Sequence, residues 1–317
     1  MTKSSAKNLK TNTGGKGSAA GAYENLTAQF NKIWREAVRN TTGGMSKKSH
    51  FRYRDSMRSF LFFCADKYRL QKIANVSEKH MQGYVEHRRQ GGVSEKTLKN
   101  DLAAVRFFHR FANPRHELPD NQLLGLVKTS GGGKDRAWTK NEYQLMMGKA
   151  ERLGRKDVIM AMKLARHGGL RIHECTRLTI GHLRNALKEG ELEIKGKGGR
   201  VRPVPISPEL RPELMRILEE YTGSSDKKIF IEPGEKTHTV IKSIERFINR
   251  HRSEITDRRI TPHGLRHSYA REELARRLEH PEQYGLHRKN LEKAAKLEVA
   301  ELLGHGRPEV TNTYVGK

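Results

Sequence analysis

The sequence predicts a mainly α-helical protein with one small antiparallel β-hairpin, folded as two domains. Over most of the chain, apolar residues recur at the spacing of amphipathic helices. Two short runs between residues 191 and 207 instead alternate apolar and polar side chains, which is the period of a strand. A segment rich in glycine and proline, residues 114–136, divides the chain, and 317 residues suffice for two domains.

We expect residues 1–22 to form a disordered basic tail. This stretch contains four lysines and no acidic residue, and most of the rest is Ser, Gly, Ala, Asn and Thr. Such a composition buries too little apolar surface to offset the entropy that is lost on ordering.

A small helical domain of four amphipathic helices is predicted over residues 23–113. Ser77 and Ser94 precede the third and fourth helices, where a serine side chain caps the helix. Core packing accounts for every apolar stripe, so we assign no functional role to them. In chain order, the four stripes lie within residues 26–38, 53–64, 81–85 and 98–112.

The segment 114–136 is predicted to be the linker between the domains. It contains Pro114, Pro119 and the run TSGGGKD, which form no periodic apolar face. Glycines followed by a lysine also suggest a phosphate-binding loop. That motif needs a glycine where Lys128 stands and a hydroxyl where Asp135 stands, so the loop is excluded.

The remaining residues, 137–317, are predicted to form the second domain. One helix starts at Thr139 and another contains Met160 and Leu164. The alternating runs ELEIKGKG and RVRPVPIS then predict the β-hairpin, with Lys197 near its turn. The rest is predicted to be helical, except for loops around Pro233 and Gly234, at Pro262, and from Gly304 to Pro308.

The charge balance indicates a polyanionic partner. Lys and Arg number 62 against 36 Asp and Glu, which gives a formal net charge of +26. The basic residues are spread along the whole chain among apolar positions, which favours nucleic acid over an anionic membrane or a heparin-like polymer. No run approaches the roughly 18 apolar residues of a membrane span, and the N-terminus lacks the apolar core of a secretory signal.

Only two cysteines occur, Cys64 and Cys175, each in an apolar helical run. Two cysteines build neither a disulfide framework nor a cysteine zinc cluster, so we expect a reducing cytoplasm as the compartment. A metal site formed by His263 and His267 is conceivable, but the sequence lacks the glutamate of an HExxH motif. No metal or other cofactor is predicted.

Six residues together supply the groups needed to transfer a phosphodiester onto protein. The planar guanidinium of an arginine can donate two hydrogen bonds to the charged oxygens of a pentacoordinate phosphorus. A tyrosine hydroxyl is a nucleophile, histidines accept its proton or bind the phosphate, and a lysine protonates the leaving alkoxide. Taken singly, each has an ordinary interpretation, since Arg171 and Glu174, for instance, are spaced as a helix-surface ion pair. The six are Arg171, Lys197, His263, Arg266, His305 and Tyr314.

The order of these residues resembles the catalytic set of the tyrosine recombinases, the phage integrase family. HGGLRIHECTRLTIGHL is similar to the family's first motif, with Arg171 at the first catalytic arginine and Glu174 at its usual acidic neighbour. IKGKGGRVRPVPIS resembles the family's hairpin, in which Lys197 takes the position of the mobile catalytic lysine.

The later motifs continue the resemblance in the same order. His263 and Arg266 match the family's second motif, with His267 as a supporting residue beside them. His305, at the end of LLGH, matches the second histidine, and Tyr314 matches the nucleophile. The resemblance therefore implies a role in catalysis for each of these positions.

The resemblance covers the chain from about residue 23 to residue 314. It implies a helical core-binding domain followed by an α+β catalytic domain of the tyrosine recombinase type. Two departures stand out. The segment 269–304 is longer than the family usually has, for which an added helix is the simplest account, and only three residues follow Tyr314.

The resemblance implies a site-specific DNA recombinase that acts through a 3′-phosphotyrosyl intermediate, without metal or ATP. The expected partner is double-stranded DNA, bound by a homotetramer on paired sites, with a monomer or weak oligomer when free and accessory DNA-bending or directionality proteins. The predicted use is integration or excision of a mobile element, in a bacterial nucleoid or encoded by a phage. Two alternatives stay open: a type IB topoisomerase and a catalytically silent DNA-binding regulator.

Overall fold

The structure is a computed structural model that describes residues 18–39, 47–126, 135–196, 199–279 and 288–304, together with Asn312 and Tyr314. The chain divides into two compact units, Met1–Ser130 and Gly131–Lys317. The described residues are mainly helical, with one two-stranded antiparallel sheet. The predicted fold class is therefore confirmed.

Four α-helices make up most of the N-terminal unit as described. The first, α1, begins at Ala19, so the end of the predicted disordered tail is wrong; its alanines are strong helix formers and Ala22 is buried in the core. Ser94 accepts a hydrogen bond from the amide of Thr97, as expected of a helix cap. The helices are α1 (Ala19–Arg39), α2 (Lys47–Tyr68), α3 (Glu78–Gln90) and α4 (Glu95–His109).

Aromatic rings fill the core of this unit. The rings of Phe30 and Phe108 meet edge to face at 5.0 Å, and those of Phe60 and Tyr84 at 5.2 Å. Part of the predicted linker belongs to this core, because Leu124 and Leu126 are buried against it. The apolar stripes of the sequence are thus mostly core positions, as predicted, with Val38 as an exposed exception.

The C-terminal unit begins with helices and then forms the predicted hairpin. Thr139 caps α5 by accepting from the amide of Glu142. The hairpin strands are β1 (Glu191–Lys195) and β2 (Val201–Pro205), and Ile194 pairs with Arg202 across them. The helices before the hairpin are α5 (Lys140–Arg152), α6 (Lys156–His167), the single turn α7 (Ile172–Cys175) and α8 (Ile180–Glu189).

Four more α-helices follow within the described residues, and two predicted loops need correction. Pro262 is the first residue of α11 and lies in no loop, because proline fits the first helical turn, where no backbone donor is needed. The irregular segment runs from Tyr221 to Lys236, longer than predicted, since its backbone bonds to residues 178–181. The helices are α9 (Leu210–Glu220), α10 (Thr237–His251), α11 (Pro262–Glu279) and α12 (Arg288–Leu302).

In the core of the C-terminal unit, α11 packs against α6. The long segment 269–304 contains the remainder of α11 and all of α12, and its residues 280–287 lie outside the described chain. Both cysteines are buried and free. Among the described helices, none is long and apolar enough to cross a membrane.

Candidate active site

A glycine turn after α6 sets the position of Arg171. Gly169 has φ +61°, and a Cβ there would overlap the ring of Tyr269, so the position requires glycine. The carbonyl of Gly169 accepts a hydrogen bond from Arg266. Two residues later, Arg171 is the N-cap of α7, so the turn brings the two predicted arginines together.

Glu174 lies at the centre of the site with its side chain fully buried. Its Oε2 accepts from the backbone amide of Arg171 at 2.9 Å, and its Oε1 from Arg171 Nη1 at 2.8 Å. Burial alone would raise its pKa, but the hydrogen bonds and charge of Arg202 outweigh burial and lower the pKa to about 2. The i,i+3 ion pair of the ordinary interpretation is therefore present, but it is not a surface pair, because the carboxylate is 0% exposed.

Arg202 is a site residue that the sequence reasoning missed. Its Nη1 donates to Glu174 Oε1 at 3.1 Å, and its Nη2 donates to Oε2 at 2.9 Å. Its Nε donates to the carbonyl of Leu302 at 2.8 Å, which ties β2 to the end of α12. Strand alternation was the available signal, since residue 202 faces the same side of β2 as the buried Val204.

Arg266 is the most deeply buried arginine of the described site, with 0% exposure. It donates to the carbonyls of Gly169 and Leu303, and its Nη1 lies 3.9 Å from Glu174 Oε2. Burial first, and then the neighbouring charge of Arg171, lower its pKa to about 10. The guanidinium is therefore still charged at neutral pH.

The first turns of α11 carry the two predicted histidines and Arg266. The chain that enters the C-terminal unit fixes this end of the helix: Trp138 Nε1 donates to the carbonyl of Thr261 at 2.9 Å, and its amide donates to Ser268 Oγ at 2.8 Å. Gly264 has no room for a Cβ, which would overlap the carbonyl of Arg136. No local sequence pattern indicates this role of Trp138.

Tyr314 lies against these histidines and is buried. Its hydroxyl is 3.1 Å from His263 Nε2. Its ring stacks on that of His267 with centroids 4.3 Å apart and planes 21° apart. The guanidinium carbon of Arg266 is 5.8 Å from the centre of the Tyr314 ring. The structure therefore brings three of the predicted residues, His263, Arg266 and His267, together around the side chain of Tyr314.

Both histidines beside Tyr314 are neutral at pH 7. Burial, followed by the charges of Arg266 and Arg171, lowers the pKa of His263 to about 4. Burial, followed by His263, lowers the pKa of His267 to about 4 as well. A neutral imidazole has one ring nitrogen that donates a hydrogen bond and one that accepts, so His263 Nε2 either accepts from the Tyr314 hydroxyl or donates to it, according to the tautomer.

Two of the predicted site residues lie outside the described part of the chain. These are Lys197, which follows Gly196 in the sequence, and His305, which follows Gly304. Their roles therefore stay predictions. Across the described residues, no group of three His, Cys, Asp or Glu side chains could hold a metal ion.

The arrangement combines a charge surplus with a nucleophile. Arg171, Arg202 and Arg266 surround one carboxylate, Glu174, which leaves the centre with a positive excess. A tyrosine hydroxyl that contacts a neutral imidazole lies beside Arg266. Chemically, such a centre suits attack on an anionic ester.

Comparison with known proteins gives two family matches. Residues 38–116 match the N-terminal SAM-like domain of phage integrases, and residues 136–277 match the phage integrase family. The second match ends before Tyr314, so the geometry and the sequence spacing, not this match, support that residue.

Similar curated proteins and solved structures agree with these matches. A tyrosine recombinase XerC of Rhizobium meliloti is 29% identical over 288 residues, covering 86% of this chain and 84% of that protein. XerC of Pseudomonas syringae pv. tomato is 26% identical, covering 83% of each chain. A Tn1549 transposon integrase bound to transposon right end DNA has a TM-score of 0.64 at 15% identity, covering 91% of this chain and 95% of that one.

A dimer of lambda integrase bound to a COC′ core site has a TM-score of 0.62 at 15% identity, covering 92% of this chain and 95% of that one. At such identities the structures show the fold alone. The two family matches together span more than half of the chain, and the curated relatives share most of its length. The chain thus belongs to the phage integrase family of tyrosine recombinases, enzymes of site-specific recombination.

Proposed function

We propose that this chain cuts and rejoins double-stranded DNA at specific sites, with Tyr314 as the nucleophile. The observation that carries the proposal is the contact between the Tyr314 hydroxyl and the neutral His263, beside the buried Arg266. A tyrosine whose hydroxyl contacts an imidazole and whose ring lies beside a permanent cation is suited to attack a phosphodiester.

The reaction balances without an energy source. Tyr314 Oη forms a bond to phosphorus while its proton passes to His263 Nε2. The bond from phosphorus to the 5′ oxygen breaks, and that oxygen takes a proton and leaves. One phosphodiester is replaced by another, a 3′-phosphotyrosine, so attack by a 5′ hydroxyl reverses the step and rejoins DNA.

The remaining side chains hold the reacting groups. Arg171 and Arg266 are proposed to bind the non-bridging oxygens of the phosphate, whose charge grows in the transition state. Glu174 holds Arg171 through both its amide and its guanidinium. His267 stacks on the ring of Tyr314 and is proposed to fix its direction.

Lys197 and His305 enter this scheme from the sequence alone. Lys197 is proposed to protonate the leaving 5′ oxygen, and His305 to bind the phosphate. Sulfur at the 5′ bridging position tests the first role, because a thiolate with a pKa near about 8.5 leaves without a proton. Lys197→Ala is expected to recover cleavage on that substrate, whereas Arg171→Ala is not.

Trapping the covalent intermediate is the direct test. A duplex nicked just beyond the cleavage site loses its 5′ fragment by diffusion, so the protein stays attached to the 3′ phosphate. We expect the wild-type protein to be trapped and Tyr314→Phe to bind the duplex without forming an adduct. Tyr143→Phe is the control, since it removes the hydroxyl of another tyrosine of the same unit, which is partly buried on α5. An adduct with Tyr314→Phe, or a linked peptide elsewhere, contradicts the assignment.

The trapping experiment separates one alternative, and an assay of supercoil relaxation against strand exchange separates the other. A catalytically silent DNA-binding regulator forms no adduct with the wild-type chain. A type IB topoisomerase relaxes supercoils as a dilute monomer, whereas a recombinase exchanges strands only when paired sites are present. We propose exchange by a homotetramer on two sites. The net charge of +26 supports DNA binding, and a similar fold occurs in a lambda integrase tetramer bound to a Holliday junction.

For the biological use, we propose integration or excision of a mobile element. The description of the matched family, phage integrase, supports this use. Sequencing the DNA on both sides of the gene tests it: short direct repeats that bound an inserted segment are expected. A gene with no such repeats, at a position shared with close relatives of its host, contradicts the proposal.

A further inference from the structure

Arg202 fills half of the hydrogen-bonding capacity of Glu174. A carboxylate has about four acceptor positions. Each oxygen of Glu174 accepts one bond from Arg171 and one from Arg202, at 2.8 to 3.1 Å. Arg266 stays farther away, at 3.9 Å from Oε2. The buried carboxylate is therefore satisfied by two arginines of the three that surround it.

Arg202 is placed differently from Arg171. The side chain of Arg202 is only 6% exposed, and its third donor, Nε, bonds to the carbonyl of Leu302. The side chain of Arg171, at the N-cap of α7, is 23% exposed. Arg202 is therefore held from two sides, by Glu174 and by the carbonyl of Leu302, whereas the side chain of Arg171 is partly open to solvent.

The net charge of the site indicates what Arg202 contributes to it. Three guanidiniums and one carboxylate leave two positive charges at the centre. Without Arg202, one would remain, and two acceptor positions on Glu174 would be open to Arg171 and Arg266. Those arginines would then bond to the carboxylate in competition with the DNA phosphate.

We propose that Arg202 is a positioning residue for strand cleavage, which neutralises Glu174 so that Arg171 and Arg266 keep their charge and direction for the phosphate. The inference rests on the proposed function. It adds that the return strand of the hairpin and the end of α12 contribute to the charge of the site through one buried side chain.

A four-protein cycle tests the proposal: the wild type, Arg202→Met, Glu174→Gln, and the double variant. The net charge of the three arginines and Glu174 is +2 in the wild type. It is +1 in Arg202→Met and +2 again in the double variant. We expect Arg202→Met to slow single-turnover cleavage of the nicked duplex roughly ten- to a hundredfold, the scale for removing the partner of an active-site ligand. DNA affinity should change far less. Cleavage by the double variant should recover at least about tenfold over Arg202→Met.

A purely structural role gives the opposite result, because a second buried substitution then adds to the first. A double variant that is as slow as Arg202→Met overturns the proposal, as does an Arg202→Met rate equal to that of the wild type. If Arg202→Met does not fold, Arg202→Lys decides the matter. Arg202→Lys retains the positive charge but loses the planar guanidinium that bonds to both carboxylate oxygens. The cleavage rate of Arg202→Lys should therefore fall less than that of Arg171→Lys. An equal or larger fall overturns the proposal.

The controls separate this inference from the proposed function. Arg216→Met makes the same substitution in an arginine that bridges Glu213 and Glu220 on α9, and its cleavage should match the wild type. The wild-type chain must form the covalent adduct. If the wild-type chain forms no adduct, the proposed function is wrong. If it forms the adduct and the effects of the two substitutions on the cleavage rate are additive, only the role of Arg202 is wrong.

Discussion

The two units of the chain each bury a carboxylate, and they neutralise it by different means. In the N-terminal unit, Asp101 accepts from Ser56 Oγ at 2.6 Å, from the Tyr84 hydroxyl at 3.2 Å and from Arg88 Nη2 at 3.1 Å. In the C-terminal unit, Glu174 is surrounded by three arginines. One carboxylate thus has one cation and two hydroxyls, and the other has three cations.

The difference lies in the charge that remains. Asp101 and Arg88 cancel, and hydroxyl dipoles satisfy the rest of the carboxylate, so the cluster binds α2, α3 and α4 together and attracts no ion. The Glu174 cluster keeps a positive excess in a buried place, which is costly unless an anion compensates it. A buried carboxylate is therefore structural or functional according to what surrounds it.

Removing one arginine from each cluster gives the largest expected contrast. Arg171 and Arg88 each have side chains that are 23% exposed and pair with a buried carboxylate. Arg171→Ala should lower the single-turnover cleavage rate at saturating DNA about 10²- to 10³-fold, because it removes a charged donor for the transition state. Arg88→Ala should cleave at close to the wild-type rate under the same conditions.

DNA affinity is measured alongside for both variants. For Arg171→Ala, the rate at saturating DNA should fall much more than the affinity. Equal losses of rate by the two variants would break the comparison, because the Glu174 cluster would then have no special part in cleavage.

Substituting Asp101 should reverse the pattern. Asp101→Asn leaves buried donors of Arg88 and Tyr84 without a full acceptor, which should lower the free energy of unfolding of the N-terminal unit by about 1–3 kcal/mol. Cleavage at saturating DNA should be unchanged. Urea unfolding with tryptophan fluorescence measures this, since Trp34 packs on Phe108 in one unit and Trp138 lies in the other.

Trp138→Phe isolates the signal of the N-terminal unit in that experiment, and Trp34→Phe isolates the other. The loss should appear with the Trp34 signal. A loss seen equally in the Trp138 signal would contradict the assignment of Asp101 to the stability of its own unit.

The smallest expected effect is the pH dependence of the C-terminal unit. Folding lowers the pKa of His267 from 6.5 to about 4, mainly through burial. Above pH 6.5 both states are neutral, and between 6.5 and 4 only the unfolded state binds the proton, so stability falls as the pH falls. His267→Phe keeps a ring against Tyr314 and removes this titration.

Thermal unfolding followed by the Trp138 signal should therefore show a shallower loss between pH 6.5 and 4 in His267→Phe than in the wild type. His263, His167 and His173, whose pKa values are also lowered, remain in both proteins and give the common slope. Identical slopes would show that His267 is not held neutral by the fold.

Much of the fold and part of the site could be predicted from local patterns. Hydrophobic periodicity placed the helices that hold the cores, and Thr139 and Ser94 marked helix starts, because caps and amphipathic faces depend on residues a few positions apart. Motif spacing selected Arg171, Arg266, His263 and Tyr314 as a set. Their roles stay proposals, although the structure brings the four residues together.

The sequence by itself determined the helical class, the hairpin and the surplus of positive charge, since each follows from composition or short-range spacing. Only the tertiary structure decided that Glu174 is fully buried, that Arg202 shares it, and that Trp138 fixes the start of α11. The reason is physical: burying a charge is favourable only with partners in place, and Arg202 and Glu174 stand 28 positions apart. No local pattern reports such a pair, because its energy exists only after the hairpin has packed against the α6–α7 turn.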